Sequence, residues 1–222
     1  MTRPILLDLY SKAGGAAMGY HLAGFDVVGV DKDPQPRYPF RFLRADVTTL
    51  GLPELVQFTG AVAAHASPPC QFATAYKRRP GVAVDTVNLI PVTRDMLRET
   101  GLLYVIENVE TARAHLVDPV RYCGSSFGLD VRRHRLFESN VPLAPPACDH
   151  SWQTPRFPPA TNRTNLRSTV EVGVYRIPLV VQQQAMGIGW MNLGELSEAI
   201  PPAYTEHIGQ QLMAQHVMEK AA

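Results

Sequence analysis

Short apolar runs alternate with segments of helical spacing along the first half of the chain. Pro4–Tyr10, Phe25–Asp31, Gly60–Ala66 and Leu102–Ile106 are nearly continuous in aliphatic and aromatic residues. That is the pattern of strands covered on both faces. Phe40–Val47 reads as a further strand that ends at Asp46. Between these runs the spacing lengthens to that of helices. Ala16–Leu22 is followed by Gly24 as a C-cap, Leu52–Phe58 precedes the Gly60 strand, and Thr86–Thr100 is stopped by Gly101. The alternation predicts an α/β fold with a doubly wound, mostly parallel sheet. The second half is less regular. Val131–Phe137 looks strand-like, and prolines crowd between Pro142 and Pro159. Order returns with a short helix at Gln182–Ile188 and a turn or short helix at Gly194–Ala199. A final helix, Ala203–Met218, follows Pro201-Pro202.

In an open α/β sheet, ligands bind at the carboxyl ends of the strands. The expected strand ends here deliver Tyr10, Asp31, Asp46, Cys70 and Glu107. Five polar or reactive residues at five strand ends would be odd as core architecture alone. Pro68 and Pro69 have no N–H for a sheet ladder, so they stop the strand and leave Cys70 at its mouth. A thiol there is placed to act as a nucleophile, although a free cysteine can also be a small buried hydrophobe. The first strand, helix and second strand form a βαβ unit with a glycine turn and an acid about 20 residues on, as nucleoside-binding units have. The turn is not G-x-G-x-x-G, which disfavours a dinucleotide. Lys77-Arg78-Arg79, close after Cys70, would clamp phosphates or simply form a solvated loop.

Composition narrows the classes. The chain has 222 residues and a net charge of +1, so a polyanion-binding surface must come from local clustering. The stretch from Arg132 to Val180 supplies it, with seven arginines against three acids. Three scattered cysteines exclude a disulfide framework and suit a reducing cytoplasm. Met1-Thr2-Arg3 leads directly into a strand-like run without signal-peptide design, and no apolar run approaches a membrane span. Cys148-x-His150 offers only two possible ligands, which falls short of a zinc site, so no metal is expected.

Taken in order, these stretches resemble the cytosine-C5 DNA methyltransferases over most of the chain. Asp8-Leu9-Tyr10-Ser11-x-Ala13-Gly14-Gly15 is similar to the motif that holds S-adenosylmethionine. Asp31, followed by Lys32, matches the acid for the ribose hydroxyls, and Asp46, followed by Val47, the acid near the adenine amine. Pro68-Pro69-Cys70-Gln71 matches the nucleophile motif, and Asn88-Leu89 a motif lining the cofactor pocket. Glu107-Asn108-Val109 matches the motif that contacts the target base, and Arg133-x-Arg135 the arginine pair beside it. Glu198 and Ala199-Ile200-Pro201-Pro202 resemble the last motif, which folds back on the first. The resemblance implies the fold of the class I S-adenosylmethionine-dependent methyltransferases. It divides the chain into a catalytic domain, 1–136 and 181–222, and a reduced, irregular target-recognition region, 137–180.

The implied chemistry accounts for the residue types. C5 of cytosine is a poor nucleophile, and a thiolate adding to C6 makes it enamine-like. Cys70 would be that thiolate, favoured by nearby cations or backbone N–H groups. Glu107 would serve N3 and Arg135 O2. A target in duplex DNA would have to be flipped from the stack. Two positions depart from the family pattern: Val131 stands where a Gln usually opens the arginine motif, and Ser197-Glu198 where Gly-Asn usually precedes the last motif. The short recognition region implies weak or very short sequence specificity, or a protein partner that supplies it. The same chemistry on RNA or a free cytidine nucleotide, an inactive binding relative, and an exocyclic-amine methyltransferase are the competing readings. The last places an aromatic residue where this chain has Cys70.

Overall fold

A computed structural model describes residues 2–73, 87–154 and 167–221. Strands β1 (Ile5–Leu9), β2 (Asp26–Asp31), β3 (Arg41–Arg44), β4 (Ala61–Ala66) and β5 (Leu103–Val109) run parallel. Strands β6 (Val120–Tyr122) and β7 (Arg135–Ser139) complete a seven-stranded sheet in the order β3-β2-β1-β4-β5-β7-β6. β7 is antiparallel to both its neighbours. The doubly wound, mostly parallel sheet expected from the sequence is therefore present. The chain leaves β1 toward β2 on one side and returns through β3 to β4 on the other, so the topological switch lies between β1 and β4. That is where such sheets bind ligands.

Side chains alternate across each strand and feed two cores. Leu7, Leu9, Val28, Val30, Ala64, Ala66, Tyr104 and Ile106 face helices α2 (Leu52–Thr59) and α3 (Ile90–Thr100). Leu6, Val27, Ala63, Leu103, Val105 and Phe137 face α1 (Gly15–Leu22) and, through it, a long helix of residues 202–221. Thr205 Oγ1 ties that helix to α1 by donating to the Ala16 carbonyl at 2.8 Å. On the α3 side, Arg94 donates twice to the buried Glu138 of β7, at 2.5 and 2.7 Å, and once to the His115 carbonyl. Glu138 also accepts the Val117 N–H.

Several element bounds differ from the sequence pattern, each for a local reason. β3 stops at Arg44, so Asp46 lies in the following loop, where its carboxylate accepts from Thr48. α3 begins at Ile90 rather than Thr86, with Leu89 at its N-cap and Asn88 Oδ1 accepting the Ile90 N–H. β5 runs on through Val109, so Glu107 is within a strand and not beyond one. The stretch before β7 is not strand: Arg133 has φ 36°, a left-handed conformation that breaks the ladder until Arg135. β7 continues to Ser139, so the sheet extends past residue 137, where the recognition region was expected to begin. Beyond it the described chain is mostly irregular, apart from a two-residue pair of β8 (Gln153–Thr154) with β9 (Arg167–Ser168). Helices α4 (Leu179–Met186) and α5 (Leu193–Glu198) follow, and the long helix above is α6 (Pro202–Ala221). No helix among the described residues is long and apolar enough to cross a membrane.

Candidate active site

A cavity of about 380 Å³ opens at the carboxyl ends of β1, β2, β4 and β5. One end is lined by Tyr10, Lys12, Asp31, Lys32, Asp46 and Val47, the other by Pro69, Cys70, Glu107 and Arg135. Pro68, Gln71, Leu89, Asn108, Val109 and Glu198 also reach its wall. Arg135 enters this set because β7 is antiparallel: its first residue pairs with Val109 at the last of β5.

The β1–α1 turn is built tightly. Tyr10 and Lys12 both hold left-handed backbone, with φ 58° and 48°. Such conformations cost about 1–3 kcal/mol each and persist only where surrounding contacts fix them. Here Asp31 Oδ2 accepts the Lys12 N–H at 3.0 Å, Tyr10 Oη meets Thr93 Oγ1 at 2.9 Å, and Trp190 Nε1 donates to the Ala13 carbonyl. Asp31 Oδ1 accepts the Asp33 N–H. Each oxygen of Asp31 therefore carries one backbone N–H and keeps a second lone pair for a ligand. The Ser11 hydroxyl is buried and meets no hydrogen-bond partner among the described residues. Two bonds from Thr48 pull the Asp46 carboxyl below its ordinary value.

Several residues of the same sequence motifs lie behind the wall rather than on it. Asp8 is buried and accepts from Tyr38 Oη at 3.2 Å, and burial raises its carboxyl well above the usual range. Gly14 adopts φ 81° with the Pro39 ring against it, and a Cβ on Gly15 would meet the Ile200 carbonyl at 2.6 Å. The glycines thus admit other parts of this chain, where the sequence suggested approach by a ligand. Ala13 packs with Ala199, Val170 and Met186 in a third apolar cluster. Asn88 accepts the Ile90 N–H at the start of α3. Arg133 donates from Nε to the Ala199 carbonyl and from Nη2 to the Ser197 carbonyl, both at 2.7 Å. It fastens the segment that carries Glu198, instead of facing the cavity beside Arg135. Lys77, Arg78 and Arg79 lie outside the described residues.

At the reactive end, Arg135 Nε lies 3.1 Å from Glu107 Oε1. Glu107 is buried, and burial raises its carboxyl above the ordinary carboxylate value despite Arg135, Ser67 and Arg133 acting the other way. The Cys70 thiol is also raised, first by burial and then by the charge of Glu107, with Arg135 opposing. The expected thiolate-favouring surroundings are therefore not what the described residues provide. The loop bearing Cys70 is held by Asn108, whose Nδ2 donates to the Pro68 carbonyl at 2.9 Å. A buried polar chain lies beneath: Tyr20 Oη to His65 Nδ1 at 2.9 Å, His65 Nε2 to Ser67 Oγ at 2.9 Å, and Ser67 to Glu107. Burial holds the His65 imidazole neutral, with its pKa lowered to about 3. Nothing in the sequence marks His65, which sits in an apolar strand. Lys12 and Ser197 are likewise absent from the expected site, although both neighbour residues that the motifs select.

The chain matches no family model, and a comparison with curated proteins found no match. Solved structures do share its fold. A prophage-encoded chain from E. coli, described as a DNA modification methyltransferase, superposes with TM-score 0.60 at 14% identity, over 95% of this chain and 99% of that one. The Entamoeba histolytica methyltransferase EhMeth gives TM-score 0.62 at 10% identity, over 97% and 99%. At these identities the likeness shows an α/β methyltransferase-like fold.

Proposed function

We propose that this chain transfers a methyl group from S-adenosylmethionine to C5 of cytosine in DNA through a covalent Cys70–C6 adduct. The observation that carries the reading is that Cys70, Glu107 and Arg135 line the same cavity as Asp31 and Asp46. The two structural neighbours named as methyltransferases agree with the reaction class.

The residues at the Asp31 end fit the cofactor. The free lone pairs of Asp31 suit a ribose diol, and Asp46 an exocyclic amine. Tyr10, Val47 and Leu89 offer apolar surface for a purine. When bound, the cofactor supplies an electrophilic methyl sulfonium. The protein's part is to make C5 nucleophilic. The Cys70 thiol gives its proton to solvent water, and its Sγ bonds to C6 while the ring's electrons move toward N3 and O2. Glu107, raised by burial, is suited to be protonated there and to donate to N3. Arg135 holds the developing charge at O2. Protonation of Glu107 favours the Cys70 thiolate, because the Glu107 charge is one of the causes that raise the thiol. After methylation, a water molecule takes the C5 proton, the C6–Sγ bond breaks to release the Cys70 thiolate, and N3 returns its proton to Glu107, which restores the aromatic ring. Asn108 is a positioning residue that fixes the loop of Pro68, Pro69 and Cys70.

DNA is the proposed source of the cytosine, after the structural neighbour described as a DNA modification methyltransferase; of the arginines in 132–180, Arg133 and Arg135 are turned inward to Ala199 and Glu107. The irregular described part of 137–180 suits short or weak sequence specificity, or specificity supplied by a protein partner. The test is incubation with labelled S-adenosylmethionine and, separately, duplex DNA, single-stranded DNA, tRNA and deoxycytidine monophosphate. Label is expected in duplex DNA at C5 and lost in Cys70→Ser. Label that survives loss of the thiol would refute the covalent mechanism, and label confined to tRNA or the mononucleotide would refute the substrate.

A further inference from the structure

Four metal-ligating side chains converge outside the candidate active site. They are Cys123, just after β6; His134, just before β7; and Cys148 and His150, in the proline-rich segment before β8. Their ligand atoms all lie within 4.8 Å of one another. His150 Nε2 is 3.2 Å from both Cys123 Sγ and Cys148 Sγ, and His134 Nε2 is 3.5 Å from Cys148 Sγ. A tetrahedral zinc with ordinary Zn–S and Zn–N bonds has S···N edges of about 3.6 Å. One imidazole N–H cannot donate well to two sulfurs at once. Two sulfurs aimed at one nitrogen, with a second nitrogen beside them, describe a common centre better than a set of paired hydrogen bonds. The His134 and His150 rings stack at 5.2 Å with an interplanar angle of 18°, which presents both Nε2 atoms from one side. The Ser125 hydroxyl lies 3.1 Å from Cys123 Sγ, placed to donate to a metal-bound thiolate.

We infer that this chain binds one structural zinc ion through Cys123, His134, Cys148 and His150. Two thiolates and two neutral imidazoles balance the dication and fill four coordination positions, so the site is closed and takes no substrate. The count from sequence reached only Cys148 and His150. The other two ligands come from segments that the sheet, not the sequence, brings alongside. The metal joins three segments: the first two lie side by side through the pairing of β6 with β7, and the third is tied to them where Ser126 Oγ donates to the Pro146 and Ala147 carbonyls. His134 lies between Arg133 and Arg135, so the metal would also anchor the backbone that aims Arg135 into the cavity. That consequence rests on the function proposed above, whereas the metal site does not.

The test uses the full chain purified without chelator or immobilised-metal affinity. Metal analysis is expected to give one zinc per chain. Replacement by cobalt should give the intense visible absorption of a tetrahedral thiolate site. A native thiol titration should find one reactive thiol, Cys70, and three after chelation. Cys148→Ser and His150→Ala, both on the outer segment, should lose the zinc. If a variant fails to fold, the cobalt spectrum and the thiol count of the parent chain still decide. Parent protein without zinc and without a tetrahedral cobalt spectrum would overturn the proposal. So would a Cys123–Cys148 disulfide in freshly purified protein, or full zinc content in both variants. None of these readouts uses methyl transfer, so failure of the proposed reaction leaves them interpretable.

Discussion

Asn108 offers a test of how the reactive loop is held. Its side chain is almost fully buried, Nδ2 donates to the Pro68 carbonyl at 2.9 Å, and Oδ1 accepts the Val109 N–H at 3.0 Å. Pro68 is itself buried, so Asn108→Ala strips a buried carbonyl of the amide that donates to it. A buried group stripped of its partner costs about 1–3 kcal/mol. The Val109 N–H is only partly buried and belongs at the lower end. Together the change should cost about 2–4 kcal/mol, which at the urea slope of a chain this size moves the unfolding midpoint down by roughly 1 M. Activity should fall further than stability, because a displacement of about 1 Å at a reacting group costs about 100-fold. The assays are urea denaturation and kcat/KM for methyl transfer at a temperature where the variant is fully folded. Asn108→Asp keeps the acceptor for Val109 but sets carboxylate oxygen against carbonyl oxygen, so at neutral pH it should be no better than Ala. An unchanged midpoint in Asn108→Ala, or full stability in Asn108→Asp, would refute the reasoning.

Glu107→Gln should lower methyl transfer by about 100-fold or more, the usual contribution of a positioned proton donor. Because the folded carboxyl is raised above its unfolded value, its stabilising protonated state is complete below the unfolded pKa and lost as pH rises through the folded one. The Gln variant should therefore gain stability relative to the parent as pH rises from 4 to 8, read by denaturation at each pH; a parallel course would contradict this. Arg94→Met and Glu138→Leu should each cost about 3–5 kcal/mol by stranding a buried charge. The double variant should cost less than their sum, and strict additivity in denaturation would show that the pair is not coupled. Gly15→Ala should cost about 1–3 kcal/mol, because its Cβ meets the Ile200 carbonyl at 2.6 Å. A Gly15→Ala thermal midpoint equal to the parent's would mean that the 199–200 segment yields freely.

Strands β1, β2, β4 and β5 were legible because each is a short apolar run with a stop after it; β6 is three residues with Arg121 at its centre, and no pattern marked it. Tyr10 and Asp31 were legible as polar residues closing such runs, and Cys70 as the residue that follows the Pro68-Pro69 stop. Residues whose role depends on contacts between distant segments were not. Arg133 and Arg135 look equivalent in sequence, but a left-handed residue between the β6 turn and β7 sends one to the Ala199 carbonyl and the other to Glu107. Gly14 and Gly15 suggest a ligand because glycines admit close approach; the sequence does not say that Tyr38, Pro39 and Ile200 are what approach. His65 reads as part of an apolar strand and becomes visible only when Tyr20 and Ser67 meet it. Cys123 and His134 lie too far from Cys148 in the chain for ligand spacing to reveal them.

The most direct measurement is capture of the covalent intermediate. Duplex DNA carrying 5-fluorocytosine has no C5 proton to lose, so the thiolate cannot leave after methylation. With S-adenosylmethionine present, a denaturation-resistant adduct is expected, and peptide mapping should place the DNA on Cys70. An adduct on another residue, or methylation of ordinary DNA with no adduct on the fluorinated duplex, would contradict the central claim that Cys70 adds to cytosine C6.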